Sequence, residues 1–180
     1  GEKKRGVVIA YDSRRMSAEF AKETALVLCA NGVKTYLFDA LRPVALLSFG
    51  VRHLGAAAGV GITASHNPPQ YNGYKVYGED GAQLGPEAAA AVTERINALS
   101  FTAAKRMDEE AARAAGLLNI IGNKEVDDEY IAQVKTLSIN PEIVAEAGKN
   151  LKIVYTPLHG TGNIPARRVL KELGFEHVYV

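Results

Sequence analysis

The sequence has no tryptophan, one cysteine and two methionines among its 180 residues. With aromatics at only 7%, it offers no large aromatic platform. The lone Cys29 excludes an internal disulfide. It sits in the apolar run Ala25-Leu26-Val27-Leu28-Cys29-Ala30 and reads as a small buried thiol. An excess of one charge is also lacking: 21 Lys and Arg face 20 Asp and Glu, for a net charge of +1. Without a strongly basic balance, nucleic acid is not the default partner. No long hydrophobic run exists either. The most apolar tract, Val44 to Ile62, is broken by Arg52, His53 and several glycines. It is too interrupted for a membrane span, which needs about 20 apolar residues. The short run Val7-Val8-Ile9-Ala10 after Lys3, Lys4 and Arg5 is not a signal peptide. A cytoplasmic protein without a membrane partner is expected.

Several motifs are missing as well. There is no Gly-x-Ser-x-Gly elbow, which disfavours a hydrolase triad. There is no Gly-x-x-x-x-Gly-Lys-Ser/Thr loop, and Tyr11-Asp12-Ser13-Arg14 is not a Gly-x-Gly-x-x-Gly turn. The four histidines have no metal-ligand spacing, and His53 and His177 read as structural. Asp127-Asp128-Glu129 reads as a solvated helix start, because acids favour a helix N-terminus. No short-period repeat is visible. What is present is ordinary globular material, 47% hydrophobic and 23% charged. That excludes a disordered chain, a collagen and a coiled coil, and the length suits one or two domains.

The first hundred residues alternate between strand and helix signals. Val7–Tyr11 is a continuous apolar run, as expected of a strand buried on both faces. Ser17 can cap a helix with Ala21, Ala25 and Leu28 as its stripe, stopped by Asn31-Gly32. Thr35–Phe38 is a second strand. Pro43 opens a second helix with Leu47, Val51 and Leu54 buried, ended by Gly55. Gly59–Thr63 is a third strand, and Tyr74–Tyr77 a short fourth. Pro86 leads into a helix whose stripe is Val92, Ile96 and Leu99. Strands separated by helices imply right-handed crossovers and a mostly parallel sheet. The fourth strand follows a tight loop and so is expected antiparallel to the third. The fold class is therefore α/β, a three-layer αβα domain with a mixed, mostly parallel sheet.

Residues 100–123 show no strand signal and read as a connecting segment with a broken helix. Helices are expected from Asp127 to Leu137 and from Glu142 to Ala147. Lys152–Tyr155 is then a strand, Leu158–Gly162 a glycine-bearing turn, and Ala166, Leu170 and Leu173 a helical stripe closed by Gly174. His177 opens another strand. This gives three segments: an α/β domain over 1–100, a helical connector over 101–149, and the start of a second similar α/β domain over 150–180. The chain begins at Gly1 without Met and stops at Val180 inside a strand pattern, so it reads as a piece of a longer polypeptide. An incomplete second domain should leave apolar strand surface exposed and favour self-association.

The segment from Thr63 to Lys75 carries the chemistry. Ligand-binding residues of open α/β sheets gather beyond the carboxyl ends of the strands, and Ser65 lies there. His66 and Asn67 add a proton carrier and hydrogen-bond donors. Pro68 and Pro69 stiffen the loop, and Asn72-Gly73 turns it back so that Lys75 can face the same pocket. A hydroxyl, an imidazole and an ammonium on one loop suit phosphoryl transfer. On residue types alone, a Ser-His-Asn run before prolines is more commonly plain turn chemistry.

The string Thr63-Ala64-Ser65-His66-Asn67-Pro68 resembles the phosphoserine loop of the α-D-phosphohexomutases, the phosphoglucomutase/phosphomannomutase family. Tyr71-Asn72-Gly73-Tyr74-Lys75-Val76-Tyr77 and Tyr11-Asp12-Ser13-Arg14 are similar to that family too. Tyr155-Thr156-Pro157-Leu158-His159-Gly160-Thr161-Gly162 resembles the start of its second domain. The wording is nearest the phosphoglucomutase/phosphopentomutase branch, and the likeness covers residues 6–99 and 124–180. It implies that Ser65 carries phosphate, donates it to a sugar monophosphate and takes back the other phosphate of a bisphosphorylated intermediate. Phosphate then moves between C1 and C6 of a hexose, glucose above all, or C1 and C5 of a pentose. The sugar bisphosphate would also serve as activator. The seryl phosphate would give one oxygen to Mg²⁺, a hard cation suited to transferring phosphoryl groups. Lys75 matches the family's general acid/base, whose pKa must be lowered for that work. His66 joins the catalytic set, and Asn67 would position the phosphate. Arg14 could grip phosphate bidentately or anchor the loop through Asp12. His159, near a helix N-terminus, is a further phosphate-binding candidate or a turn residue.

The resemblance also marks gaps. The family's four domains surround one cleft, and its Asp-x-Asp-x-Asp metal loop, sugar-selecting loop and final phosphate-gripping loop have no counterpart here. Its arginine-bearing stretch ahead of the first strand is missing as well. The chain is therefore expected to be inactive alone. Two other readings stand beside the mutase: a homologue that only binds sugar phosphates, and a nucleotide-binding or protein-interaction α/β module. Phosphomannomutase and phosphopentomutase remain alternatives within the family, and the sequence is silent on oligomeric state.

Overall fold

The computed structural model describes residues 1–180. The chain divides into two compact units, Gly1–Ile121 and Gly122–Val180. The first holds a five-stranded sheet made of β1 (Val7–Tyr11), β2 (Thr35–Phe38), β3 (Ala58–Ile62), β4 (Tyr74–Tyr77) and β5 (Leu118–Ile121). The spatial order is β4-β3-β1-β2-β5. All neighbours are parallel except β3 and β4, which run antiparallel with Gly61 opposite Lys75. The expected mixed edge is therefore present, and its cause is the short return through Asn72-Gly73.

A single helical turn, α1 (Glu2–Arg5), precedes β1, and each face of the sheet is covered. On one face, α2 (Ser17–Ala30) buries Ala21, Ala25, Leu26 and Cys29 against Ile9, Leu37, Val60 and Ile62. The Cys29 thiol is fully buried, 3.1 Å from Thr35 Oγ1. On the other face lies α3 (Val44–His53), with Leu47 and Val51 fully buried. Gly59 and Gly61 let this helix approach. A Cβ on Gly59 would stand 2.8 Å from Val51 Cγ2, and one on Gly61 3.3 Å from Leu47 Cδ2. His53 stacks on Phe49 at 5.3 Å, a structural role as expected.

Three expectations need correction. Ser17 does not cap α2; Met16 occupies the cap position, and Ser17 is buried with its hydroxyl turned to Asp12. The segment 100–123 is not strand-free. After α5 (Glu109–Ala114), β5 pairs parallel with β2 from Thr35↔Leu118 to Phe38↔Ile121. Its weak alternation is masked by the Ala- and Arg-rich sequence before it. The first unit therefore runs to Ile121, past the expected boundary at residue 100. Finally, α4 (Pro86–Asn97) buries no residue. Its stripe is amphipathic, yet Val92, Ile96 and Leu99 are 38%, 59% and 67% exposed.

The second unit contains α6 (Asp128–Lys135), α7 (Pro141–Gly148), β6 (Lys152–Val154), α8 (Asn163–Glu172) and β7 (His177–Tyr179). β6 and β7 pair in parallel across α8, a second strand–helix–strand unit as expected. Ion pairs lace α6 to α8: Arg168 reaches Asp128 at 2.7 Å, and Lys135 reaches Glu172 at 3.0 Å. Asp127 is buried rather than solvated, just ahead of α6. No helix in the chain is long and apolar enough to cross a membrane.

Leu26 and Leu99 should behave oppositely on truncation. Leu26→Ala opens a cavity in the core and should cost about 2–5 kcal/mol. Leu99→Ala should stay within about 0.5 kcal/mol, as surface changes do. Urea denaturation of both variants checks this; a large loss from Leu99→Ala would place the α4 stripe in a core.

Candidate active site

The site begins where two strands leave the sheet side by side. Tyr11 of β1 pairs with Ile62 of β3, and the amide of Asp12 still donates to the carbonyl of Ile62 at 3.1 Å. The β1–α2 turn and the loop after β3 therefore start as neighbours at the carboxyl edge of a parallel sheet. Ligand sites of such folds form at this edge.

Asp12 organises the first of these turns. Its Oδ1 accepts from the amide of Arg14 at 2.9 Å and from the hydroxyl of Ser17 at 2.6 Å. The amide contact, two residues on, is an Asx-turn. The Ser17 hydroxyl in turn accepts from Asn72 Nδ2 at 2.9 Å. Asn72 Nδ2 also lies 3.3 Å from the carbonyl of Arg15. Asp12, Ser17 and Asn72 so tie the first turn to the far end of the serine loop.

Arg14 fills the loop from beneath. Nη1 donates to the carbonyls of Pro68 and Tyr71, both at 2.9 Å. Nη2 donates to the carbonyl of Ser65 at 2.9 Å and to that of Asn67. Nε is buried and lies 3.4 Å from Asp12 Oδ2, a charge contact without hydrogen-bond geometry. The guanidinium has five donors in a planar fork. Four are spent on one loop, and the fifth faces Asp12. The phosphate-binding role expected for Arg14 is therefore corrected: no N–H is left for a phosphate. Anchoring of the loop, the other expectation, describes the contacts.

The prolines complete this arrangement. In a planar trans peptide the C=O and the following N–H point opposite ways. The carbonyls of Asn67 and Pro68 turn inward to Arg14, and the next residues, Pro68 and Pro69, have no N–H to leave unpaired outside.

Ser65 stands exposed at the loop's tip with φ +57°, in the left-handed region. Such a conformation costs a non-glycine residue about 1–3 kcal/mol and persists only where the surroundings over-determine it. Both backbone groups of Ser65 are held: its amide donates to Thr63 Oγ1 at 2.9 Å, and its carbonyl accepts from Arg14. The Ser65 hydroxyl lies 3.2 Å from His66 Nδ1. That distance is within hydrogen-bond reach of hydroxyl and imidazole. Asn67 is exposed, with its amide closing a turn on Ala64 at 3.1 Å.

The other expected residues fall differently. Lys75 is half-buried on β4, directly across from Gly61, four residues before Ser65 in the chain. Directly opposed residues in an antiparallel pair share a face, so Lys75 lies on the α3 side of the sheet. His159 is exposed in the turn before α8, in the second unit. It belongs to a different body from Ser65. Sequence reasoning missed the Ser17 and Asn72 link and the Thr63 hydroxyl. It also missed Arg42, which is buried at this edge. The Arg42 amide donates to the carbonyl of Tyr11 at 3.1 Å and its guanidinium to Asp39 at 3.1 Å. Burial, with the Asp39 carboxylate adding to it, pushes the Tyr11 phenol above its usual pKa. The aspartate two residues before Arg14 was the available signal for the Asx-turn.

The chain does not by itself fit a Mg²⁺ cage. No group of three or more His, Cys, Asp or Glu converges. Asp12, the carboxylate beside the loop, has Oδ1 taken by the Arg14 amide and the Ser17 hydroxyl, and its Oδ2 faces the Arg14 guanidinium.

Comparison with known proteins decides the lineage. Residues 1–103 match the family model for phosphoglucomutase/phosphomannomutase, alpha/beta/alpha domain I. The chain belongs to this family. It is 40% identical over 169 residues to a phosphoglucomutase of Staphylococcus epidermidis, covering 94% of the chain and 30% of that protein. It is 42% identical over 163 residues to a Schizosaccharomyces pombe protein assigned as a phosphoribomutase, covering 88% of the chain and 27% of that protein. A crystal structure from Thermus thermophilus, assigned as a phosphomannomutase, superposes with a TM-score of 0.75 at 30% identity, over 96% of this chain and 36% of that one. The chain thus spans about a third or less of the length of these relatives.

Gly73 tests how tightly the loop is built. A Cβ there would stand 2.6 Å from the backbone oxygen of Thr63, which cannot yield without breaking the Thr63–Gly73 hydrogen bond. Gly73→Ala should cost about 1–3 kcal/mol, as overpacking does, and denaturant titration reads it. An unchanged midpoint would show the loop to be loose.

Proposed function

We propose that this chain carries the phosphoryl-bearing serine of a sugar-phosphate mutase. Ser65 is the carrier, with phosphate on its Oγ in the resting enzyme. In the first half-reaction the Oγ–P bond breaks, and a bond forms from phosphorus to a free sugar hydroxyl. The hydroxyl proton leaves to a base, and the departing Oγ takes a proton from a general acid, so that Ser65 is left as the alcohol. The sugar bisphosphate reorients. In the second half-reaction the Ser65 hydroxyl gives its proton to a base and attacks the other phosphoryl group, while the sugar oxygen that leaves takes up a proton, releasing the isomeric monophosphate.

The observation that carries this reading is Ser65 itself: exposed, left-handed, and fixed at both backbone groups beside an imidazole. A nucleophile held in a single geometry is what transfer between bound partners requires. His66 and Lys75 are the proton-transfer candidates, and Asn67 and His159 the candidates for phosphate contact. Mg²⁺ is proposed at the level of the family. The seryl phosphate would supply one oxygen, and the remaining ligands would come from outside these residues.

Glucose 1-phosphate and glucose 6-phosphate are the proposed pair, supported by the phosphoglucomutase relatives. A pentose phosphate is the second reading, favoured by the 42% identity to the phosphoribomutase-assigned protein. The protein is proposed to work in the cytoplasm, and these 180 residues alone are proposed to be inactive.

Phosphopeptide mass spectrometry of the complete gene product from cells should find phosphate on Ser65. Ser65→Ala should abolish glucose 1-phosphate turnover, a loss of at least about 1,000-fold for a covalent carrier. Full activity in Ser65→Ala would sink the proposal. Mutase activity in the 180-residue chain with Mg²⁺ and glucose 1,6-bisphosphate would overturn the claim of inactivity.

A further inference from the structure

We infer that Arg14 is a positioning residue, whose guanidinium fixes the backbone of the serine loop and so sets where the Ser65 hydroxyl stands. The inference rests on the reading of Ser65 as the phosphoryl carrier. Arg14 does not touch the hydroxyl; it acts through the peptide carbonyls of Ser65, Asn67, Pro68 and Tyr71.

Four carbonyl oxygens converge on one small space, with their negative ends together. Without a cation among them they would repel and turn outward. Turning the Ser65 carbonyl outward rotates ψ of Ser65 and removes one of the two backbone bonds that hold the residue in its left-handed conformation, so that the side chain can swing away. The cation must also be forked and planar. A lysine ammonium has three donors on a point charge and cannot meet four spread acceptors and Asp12 at once. Asp12 orients the fork from behind, and Ser17 locks Asp12 to Asn72 at the loop's far end. Peptide planarity adds a constraint. Because the Ser65 carbonyl faces Arg14, the His66 N–H is directed away from it, out of the loop.

The test uses the complete gene product, with Arg14→Lys, Arg14→Gln and Ser17→Ala. Hydrogen exchange by mass spectrometry reads the peptides covering residues 63–73, and steady-state kinetics read kcat and KM for glucose 1-phosphate. Arg14→Lys and Arg14→Gln should expose the loop amides about tenfold faster, as loss of charged hydrogen bonds does. Both should lower kcat about 100-fold, the scale of a misplaced reacting group. KM should stay within about twofold. Ser17→Ala should move exchange and kcat the same way by less. Restoration of kcat by lysine but not glutamine, or a raised KM with kcat kept, would overturn the inference in favour of a charge or phosphate contact. Should Arg14→Lys fail to fold, Ser17→Ala decides, and unchanged exchange and kcat there would overturn it. A phosphate-free wild-type Ser65 would fail the mutase reading alone, since loop exchange still judges Arg14.

Discussion

The loop after β3 has almost no backbone pairing of its own, and one guanidinium supplies what it lacks. Between Ser65 and Asn72 the internal backbone hydrogen bonds are short turns, Asn67 to Ala64 and Tyr71 to Pro68. The remaining carbonyls would otherwise need water, and a water-bonded loop drifts. Arg14 gathers three of them, those of Ser65, Asn67 and Tyr71, together with the Pro68 carbonyl, into a single fixed arrangement. That arrangement depends on Asp12, Asp12 on the end of β1, and β1 on its register with β3. A shift of β1 by one residue against β3 would carry Asp12 away from Thr63 and leave the guanidinium without its loop.

The sheet beneath is built to resist such a shift. Gly59 and Gly61 look like weak strand residues, since glycine adds no packing of its own. Here their bareness admits Leu47 and Val51 of α3 into van der Waals contact with the strand backbone, and Tyr77 closes the same space from β4. Slipping by one residue would turn Val60 and Ile62 to the α3 side and the glycines to the α2 side, emptying one layer and crowding the other. The close approach of α3 is therefore a register lock for the strand that ends at the serine loop.

Much of this was legible beforehand. Apolar runs and helix stops gave β1, β2, β3, α2 and α3, because both faces of this sheet are buried and buried strands read as unbroken apolar runs. The tight Asn72-Gly73 return gave the antiparallel β4. What failed were inferences from periodicity alone. The stripe of α4 is amphipathic without being buried, since periodicity reports what a helix can bury and not what is there to cover it. β5 was hidden because Leu118–Ile121 is only four residues long and includes an asparagine. In the site, residue type and position marked Ser65, His66 and Asn67 as candidates, and only the family resemblance weighed them above plain turn chemistry. Arg14 could not be assigned between phosphate and loop, because that choice depends on where four carbonyls point, and carbonyl direction leaves no trace in residue type. Ser17 was misread for the same reason: its hydroxyl suits a helix cap or a carboxylate equally, and the nearby Asp12 won.

Charge around the loop is divided between two tasks, stiffening and neutralisation. A phosphoserine brings a charge of about −1.5 to −2. Arg14 is the cation bonded to the loop, but it is shared with Asp12 and turned to the loop's carbonyls. From Ser65 to Gly73 there is no lysine or arginine. The loop is thus stiffened by a cation whose N–H groups are directed at carbonyls and at Asp12. On the proposed reading, hydrogen-bond donors and ligands for a Ser65 phosphate would come from other elements: Lys75 on β4, a metal ion, or groups outside the serine loop. This separation has a physical use. If the same arginine held both the loop and the phosphate, each transfer of phosphate to the sugar would free its donors and loosen the backbone on which the serine sits. If Ser65 carries phosphate as proposed, Arg14 is bound to carbonyls whose charge does not change during transfer, and the loop would keep one shape in both the phosphorylated and the free-hydroxyl states. A carrier that must give and take phosphate at the same position needs that constancy.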